Sequence, residues 1–194
     1  MTRLHLVRHG PTHAKTMVGW SDLPADLSDT AALRRLSAHL PSHAPLISSD
    51  LCRAITTADV LALPTRPRLP HDPALRELHF GAWEMQTFAQ AEAADPAHIR
   101  AFWETPGQIR APGGEGWDDL TARVRTALAR LTAPAQPTDD TILVCHFGAI
   151  LAAMQCCLGL TAQDVFQHKI DNLSVTELHN TPTGWRLIRV NHIP

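Results

Sequence analysis

One run of residues narrows the folds open to this chain more than any other: Thr141-Ile142-Leu143-Val144-Cys145-His146. Its apolar residues are continuous rather than alternating with polar ones, which describes a strand buried on both faces. Such a strand needs helices above and below its sheet, the arrangement of parallel sheets joined by crossover helices. The run ends at Phe147-Gly148 and passes straight into an apolar helical segment, Ala149 to Leu158. Near the start of the chain, Leu4-His5-Leu6-Val7 reads as another short strand, and the Gly10-Pro11 turn signal ends it. Arg8-His9 and His146 therefore stand at strand ends.

The remaining segments alternate. Ser28 or Asp29 is placed to cap a helix reaching about Leu40, with Leu33, Leu36 and Leu40 on one face. Pro45 to Ser49 is a short strand, and a helix capped by Asp50 runs on through Leu63. Arg66 to Pro70 reads as an edge strand, because its prolines exclude a central one. A loop from Leu75 to Trp83 leads to helices near 84–94 and 96–103, then to a glycine- and proline-rich loop at 106–116. An amphipathic helix spans Trp117 to Leu131, and Ser174–Leu178 and Trp185–Val190 flank a hairpin signal at Thr181-Pro182-Thr183-Gly184. The pattern predicts an α/β fold, a three-layer sandwich with a mainly parallel central sheet and an antiparallel edge strand. Over 194 residues there is no repeat and no composition break, so a single domain over 1–194 is expected.

Composition excludes several classes of function. A formal net charge of -2 gives no electrostatic basis for nucleic acid or an anionic membrane. No apolar run approaches the ~18 residues of a membrane span. No basic-then-apolar leader precedes the first strand, and a cytoplasmic location is expected. Cys52, Cys145, Cys156 and Cys157 read as reduced core thiols, since the adjacent pair is a poor disulfide framework and no CxxC spacing offers zinc a site. His5, His9 and His13 are evenly spaced but straddle a strand end, so their faces diverge. No metal and no cofactor are expected.

Ligands of open α/β sheets bind at the carboxyl ends of strands. If the two histidine-ended strands are parallel neighbours, right-handed crossovers bring Arg8, His9 and His146 to one edge. Arg53, in the first turn of the helix after the second strand, faces the same edge. A cation there is unfavourable for the helix dipole, which favours a ligand role over an ordinary helix position. Glu77 lies in a loop able to cap such a pocket, with Asp72 and Glu84 as rival carboxylates. Two guanidinium and two imidazole groups around one point suit a tetrahedral oxyanion, phosphate above all. Arg8 disfavours imidazolium at His9 and so keeps that ring in its neutral, nucleophilic form.

The same residues carry a family resemblance. Arg8-His9-Gly10-Pro11-Thr12 resembles the Arg-His-Gly-x-Thr signature of the histidine phosphatase superfamily, whose fold is phosphoglycerate-mutase-like. Ser49-Asp50-Leu51-Cys52-Arg53-Ala54 is similar to its second phosphate-arginine motif, and the stretch from Arg76 to Glu84 to its proton-donor segment. Pro112-Gly113-Gly114-Glu115 resembles a loop of its short members, and Val144-Cys145-His146-Phe147-Gly148 its second-histidine motif. All five lie in family order.

The resemblance implies a metal-independent phosphomonoesterase. His9 would form a phosphohistidine, with Arg8, Arg53 and His146 on the phosphoryl oxygens and Thr12 adding a hydroxyl. Glu77 would protonate the leaving alkoxide and then activate water. Lys15 stands where many members have asparagine, either as a point-charge phosphate contact or as a solvated side chain. Trp83-Glu84-Met85 replaces the Trp-Glu-Gly of many relatives on the substrate side. The stretch from Glu77 to Glu115 looks most like α-ribazole phosphatases, so the implied partner is a small phosphorylated metabolite such as α-ribazole 5′-phosphate. Phosphoglycerate-mutase-type transfer and a non-catalytic phospho-ligand binding protein stay as alternatives, and oligomeric state, a homodimer included, stays open. Glu115 is expected to cap the helix at Trp117, a substrate contact being its other reading. Trp20, Trp83, Trp103 and Trp117 read as core or pocket wall.

Overall fold

The computed structural model describes residues 2–133 and 139–194. At its centre is the expected buried strand, β3 (Asp140–Cys145), in parallel register with β1 (Thr2–Arg8) on one side and β2 (Leu46–Ser48) on the other. A hairpin of β4 (Val175–Thr181) and β5 (Gly184–His192) extends the sheet past β1, giving the order β2-β3-β1-β4-β5 among the described residues. β4 runs antiparallel to both neighbours, so this hairpin is the antiparallel edge of an otherwise parallel sheet.

Helices cover both faces, as continuous apolar strands require. On one face, α1 (Thr30–His39) and α2 (Cys52–Leu61) bury Leu36, Ala54, Ala58 and Leu61 against Val7, Ile142 and Val144. Two short helices, α3 (Phe88–Ala94) and α4 (Pro96–Glu104), follow and pack on each other. On the other face, α5 (Trp117–Leu131) and α6 (Phe147–Leu158) bury Leu120, Val124, Ile150 and Leu151 against Leu4, Leu6 and Leu143. A five-residue helix, α7 (Ala162–Phe166), is absent from the sequence reading; its one local signal is the capping box of Thr161 and Asp164.

Helix starts partly depart from expectation. Asp29 caps α1, accepting from the Ala32 N–H. Asp50 does not cap α2, whose cap position is Leu51; its carboxylate instead takes a two-point hydrogen bond from Arg76, at 2.7 and 2.5 Å. The orphan Cys52 N–H of that helix end goes to Asp22 from a distant loop, at 2.7 Å.

Residues 66–70 also differ from the edge strand the sequence suggests. They touch β2 through one isolated bridge, Leu46 to Arg68, because Pro67 and Pro70 have no N–H to give a ladder. Arg66 instead turns inward and is 1% exposed. All five of its N–H donors are used, on the carbonyls of Ser37, Leu40, Pro41 and Leu61 and on the Ser37 hydroxyl. A guanidinium thus closes the carboxyl ends of α1 and α2 at once. Arg66→Ala should lower the free energy of unfolding by about 3 kcal/mol or more, because several buried carbonyls lose a charged donor. Urea unfolding measures the loss, and the kcat/KM of the folded variant should stay unchanged.

Candidate active site

The pairing of β1 with β3 sets Arg8 opposite Cys145, so the next residue on each chain is a histidine at the same sheet edge. The His9 and His146 ring centroids lie 5.0 Å apart with the planes at 58°. Their hydrogen bonds give them opposite tautomers. His9 Nδ1 is 2.6 Å from the Gly10 carbonyl oxygen, which only accepts, so Nδ1 carries the proton and the lone pair lies on Nε2. His146 Nδ1 accepts from Arg53 Nε at 3.3 Å, so its proton sits on Nε2. That buried Nε2 and the buried Nε of Arg8 have no hydrogen-bond partner among the described residues. Buried donors are nearly always satisfied, and two orphans at one site invite an anion.

Both rings are held neutral. Burial, then the Arg53 charge and further the Arg8 charge, push His9 down to about 3, against the pull of the Gly10 carbonyl. Burial first, then His9 and the neighbouring arginines, hold His146 well below the ordinary range. Arg53 donates to the Ser21 and Gly19 carbonyls at 2.8 and 2.6 Å as well as to His146. Three of its five donors are thus committed. Arg8 donates to the Ile170 carbonyl at 2.6 Å, and its guanidinium lies 5.6 Å from the centre of the Phe147 ring.

Glu77 is 9% exposed and fixed by two backbone N–H groups: Leu78 on Oε1 at 2.8 Å and Gly148, in the first turn of α6, on Oε2 at 3.0 Å. A Cβ on Gly148 would fall 2.3 Å from Glu77 Oε1, so only glycine admits this approach. Arg123 on α5 holds the Glu77 segment from outside, donating to the carbonyls of Ala74, Arg76 and Glu77. It also pairs with both oxygens of Glu115, which in turn accepts from the His79 N–H. Glu115 is therefore neither the cap of α5 nor a cleft residue. The cap is Gly116, whose N–H goes to Asp119.

Glu84, a rival carboxylate in the sequence, has a different task. It accepts from the N–H groups of Gly19, Trp20, Ser21 and Phe80 and from the Ser21 hydroxyl, at 2.7–3.1 Å. Burial disfavours its charge, but the Ser21 hydroxyl and these N–H donors outweigh that and hold its carboxyl below the usual range. Glu84 thereby shapes the loop whose Gly19 and Ser21 carbonyls anchor Arg53. Nothing local in the sequence signals this link.

Arg8, His9, Thr12, Arg53 and Glu77 line one cleft of about 250 Å³. His146 lies fully buried beneath it, against His9. Lys15 is exposed and not among the lining residues. Met85 adopts φ 62°, a left-handed conformation that favours glycine, and its sulfur sits 4.0 Å from the hydroxyl of Thr16 on the cleft wall. Among the described residues, no group of three or more His, Cys, Asp or Glu is placed to hold a metal ion, and no helix is long and apolar enough to cross a membrane.

A free imidazole lone pair beside unpaired cationic donors, at the carboxyl edge of an α/β sheet, defines the class: an enzyme of phosphoryl groups. The family model of the histidine phosphatase superfamily (branch 1) matches residues 4–193, and the chain belongs to that superfamily. A glucosyl-3-phosphoglycerate phosphatase of Mycobacterium tuberculosis is 34% identical over 170 residues, covering 80% of this chain and 74% of its own. The native structure of mycobacterial glucosyl-3-phosphoglycerate phosphatase superposes with a TM-score of 0.84 at 30% identity over 100% of both chains. A probable phosphoglycerate mutase of Proteus mirabilis is 28% identical over 190 residues, 95% of this chain and 88% of that one. The α-ribazole phosphatase of Shigella flexneri, at 24% identity and a TM-score of 0.85 over 100% of this chain and 98% of that one, shares the fold.

Two outcomes follow from the geometry. Glu84→Ala should lower kcat/KM about 10- to 100-fold, the range typical when the support behind a site residue is removed. A lowered Tm with kcat/KM intact would disconnect Glu84 from Arg53. The neutral histidines also make stability depend on pH. In the unfolded chain they ionise near 6.5, so the unfolded state binds protons that the folded one refuses. Their contribution is full above pH 6.5 and declines below it by up to about 1.4 kcal/mol per pH unit for each ring. Unfolding free energies measured from pH 7 to pH 5 should fall, and less steeply in His9→Gln.

Proposed function

We propose that the protein is a phosphomonoesterase that hydrolyses a small phosphorylated metabolite through a phosphohistidine at His9 Nε2. The observation that carries this reading is the complementary hydrogen bonding of the two adjacent imidazoles, which leaves a lone pair on His9 Nε2 and an N–H on His146 Nε2. In the first step Nε2 attacks phosphorus in line, the ester P–O bond breaks, and Glu77 gives its proton to the leaving oxygen. In the second step Glu77 takes a proton from water, the water oxygen attacks phosphorus, and the P–N bond breaks with its electron pair returning to Nε2. Arg8, Arg53 and the His146 N–H stabilise the equatorial oxygens, with Thr12 at the cleft wall. One well-placed arginine is worth ~10³–10⁵ in rate and a positioned acid ~10²–10⁴. These groups supply the positive charge of the transition state, so the scheme needs no metal.

Relatives of both kinds exist, and the cleft favours hydrolysis over mutase-type transfer. Apart from Arg8 and Arg53, its walls carry no cation: Ala14, Thr16, Met17, Val18, Phe80 and Phe147 are neutral. A phosphorylated hydroxy acid would leave its carboxylate there without a partner. Neutral, partly aromatic walls suit a substrate such as α-ribazole 5′-phosphate, which rests on the resemblance of residues 77–115. Four free cysteines accord with a reducing, cytoplasmic setting.

The test is hydrolysis of a panel of phosphorylated metabolites, α-ribazole 5′-phosphate among them, in EDTA. We expect turnover, inhibition by vanadate, an acid-labile phosphoenzyme, and loss of activity in His9→Ala. Glu77→Gln should slow alkyl esters far more than 4-nitrophenyl phosphate, whose leaving group needs no proton. Full activity in His9→Ala would overturn the assignment.

A further inference from the structure

Next to the cleft lies a second cavity that the phosphoryl chemistry does not use. It measures about 60 Å³ and is walled by Leu78, Phe102, Trp103, Trp117 and Phe166. Glu77, Phe80 and Phe147 line both spaces, so the two adjoin across these three side chains. The aromatic walls brace one another. Phe102 meets Trp103 edge-on at 5.1 Å, and Trp117 packs on Phe166 at 4.6 Å. Trp117 Nε1 is committed to Gln155 outside the cavity, which leaves Glu77 as the one charged group on its lining. An apolar void of this kind stays dry and costs stability in proportion to its volume.

On the reading of Glu77 as the acid that meets the leaving oxygen, the organic part of the ester starts beside a residue that walls both spaces. We propose that the cavity is a subsite for a short apolar substituent on the organic part of the phosphate ester. Its capacity is roughly two or three carbon atoms, by proportion to a ~150 Å³ cavity that holds benzene. The substrate class is then a monoester whose organic part carries a short alkyl substituent, rather than that of a bare sugar or a hydroxy acid. A hydroxyl placed there would lose its water and find no partner on the aromatic walls, which discriminates against polyols.

The experiment uses phenylphosphonate, which is not hydrolysed, and its 2-, 3- and 4-methyl, ethyl, propyl and butyl homologues. Calorimetric titration of the intact protein gives their affinities, and hydrolysis of the matching phenyl phosphates runs in parallel. In at least one substitution series, affinity should rise about fourfold per added carbon, the factor that about 0.8 kcal/mol per buried CH₂ gives. The rise should stop at ethyl or propyl and reverse at butyl, and a hydroxymethyl group should bind at least tenfold more weakly than ethyl. Trp103 is the exposed wall, so Trp103→Ala keeps the fold and should move the optimum to a longer chain. Flat or falling series at all three positions, or no phosphonate binding at all, overturn the subsite. The expected binding series without hydrolysis of any ester sinks the phosphatase reading and leaves the subsite standing.

Discussion

The parallel register between β1 and β3 is the constraint on which the rest depends. Arg8 lies opposite Cys145, and the chain leaves both strands one residue later as a histidine. Side chains alternate across a sheet, so a slip of one residue would send an imidazole to the opposite face. The apolar residues that forbid such a slip are the same ones that made the run conspicuous. Val7, Ile142 and Val144 fit the α1–α2 face, while Leu4, Leu6 and Leu143 fit the α5–α6 face. Core packing thus fixes the separation of two rings that themselves contribute little to the core.

Two fully buried arginines show how structure and function part within one fold. Neither takes a carboxylate partner in its hydrogen bonds; both answer the cost of desolvation with main-chain carbonyls. Arg66 uses all five donors and has nothing to offer a ligand. Arg53 spends three, one of them on His146, and keeps the others beside an orphaned imidazole N–H. A saturated guanidinium is a staple, whereas an unsaturated one held in place keeps donors free for a ligand. Burial depth alone does not separate them, since each is 1% exposed.

Much of this was legible in the chain because it is local. Apolar runs gave the strands, and a residue type at a strand end gave Arg8, His9 and His146, since a strand end has one meaning in an open α/β sheet. Glu115, Glu84 and Asp50 differ from what their local sequence suggests for a shared reason. Each carboxylate finds donors far along the chain: Arg123 and His79 for Glu115, the Gly19–Ser21 loop for Glu84, Arg76 for Asp50. A carboxylate just before a helix reads as a cap when its distant partner is not known. Arg66 to Pro70 illustrates the converse, where two prolines withhold N–H groups that a full ladder needs.

Glu77 and His146 belong to one rigid unit, and this has a mechanistic consequence. α6 starts at Phe147, immediately after His146, and its Gly148 N–H holds Glu77 Oε2 at 3.0 Å. The amino end of a helix attracts anions, and here the Glu77 carboxylate occupies part of that position. Glycine at 148 is what lets the carboxylate come so close, as the 2.3 Å clash of any Cβ shows. His146 and Glu77, to which the proposed mechanism gives the phosphoryl oxygens and the leaving oxygen, are therefore spaced by one helix turn rather than by a flexible loop. Because α6 packs its apolar length into the core, the cost of holding that spacing is met on folding and not at the moment of reaction.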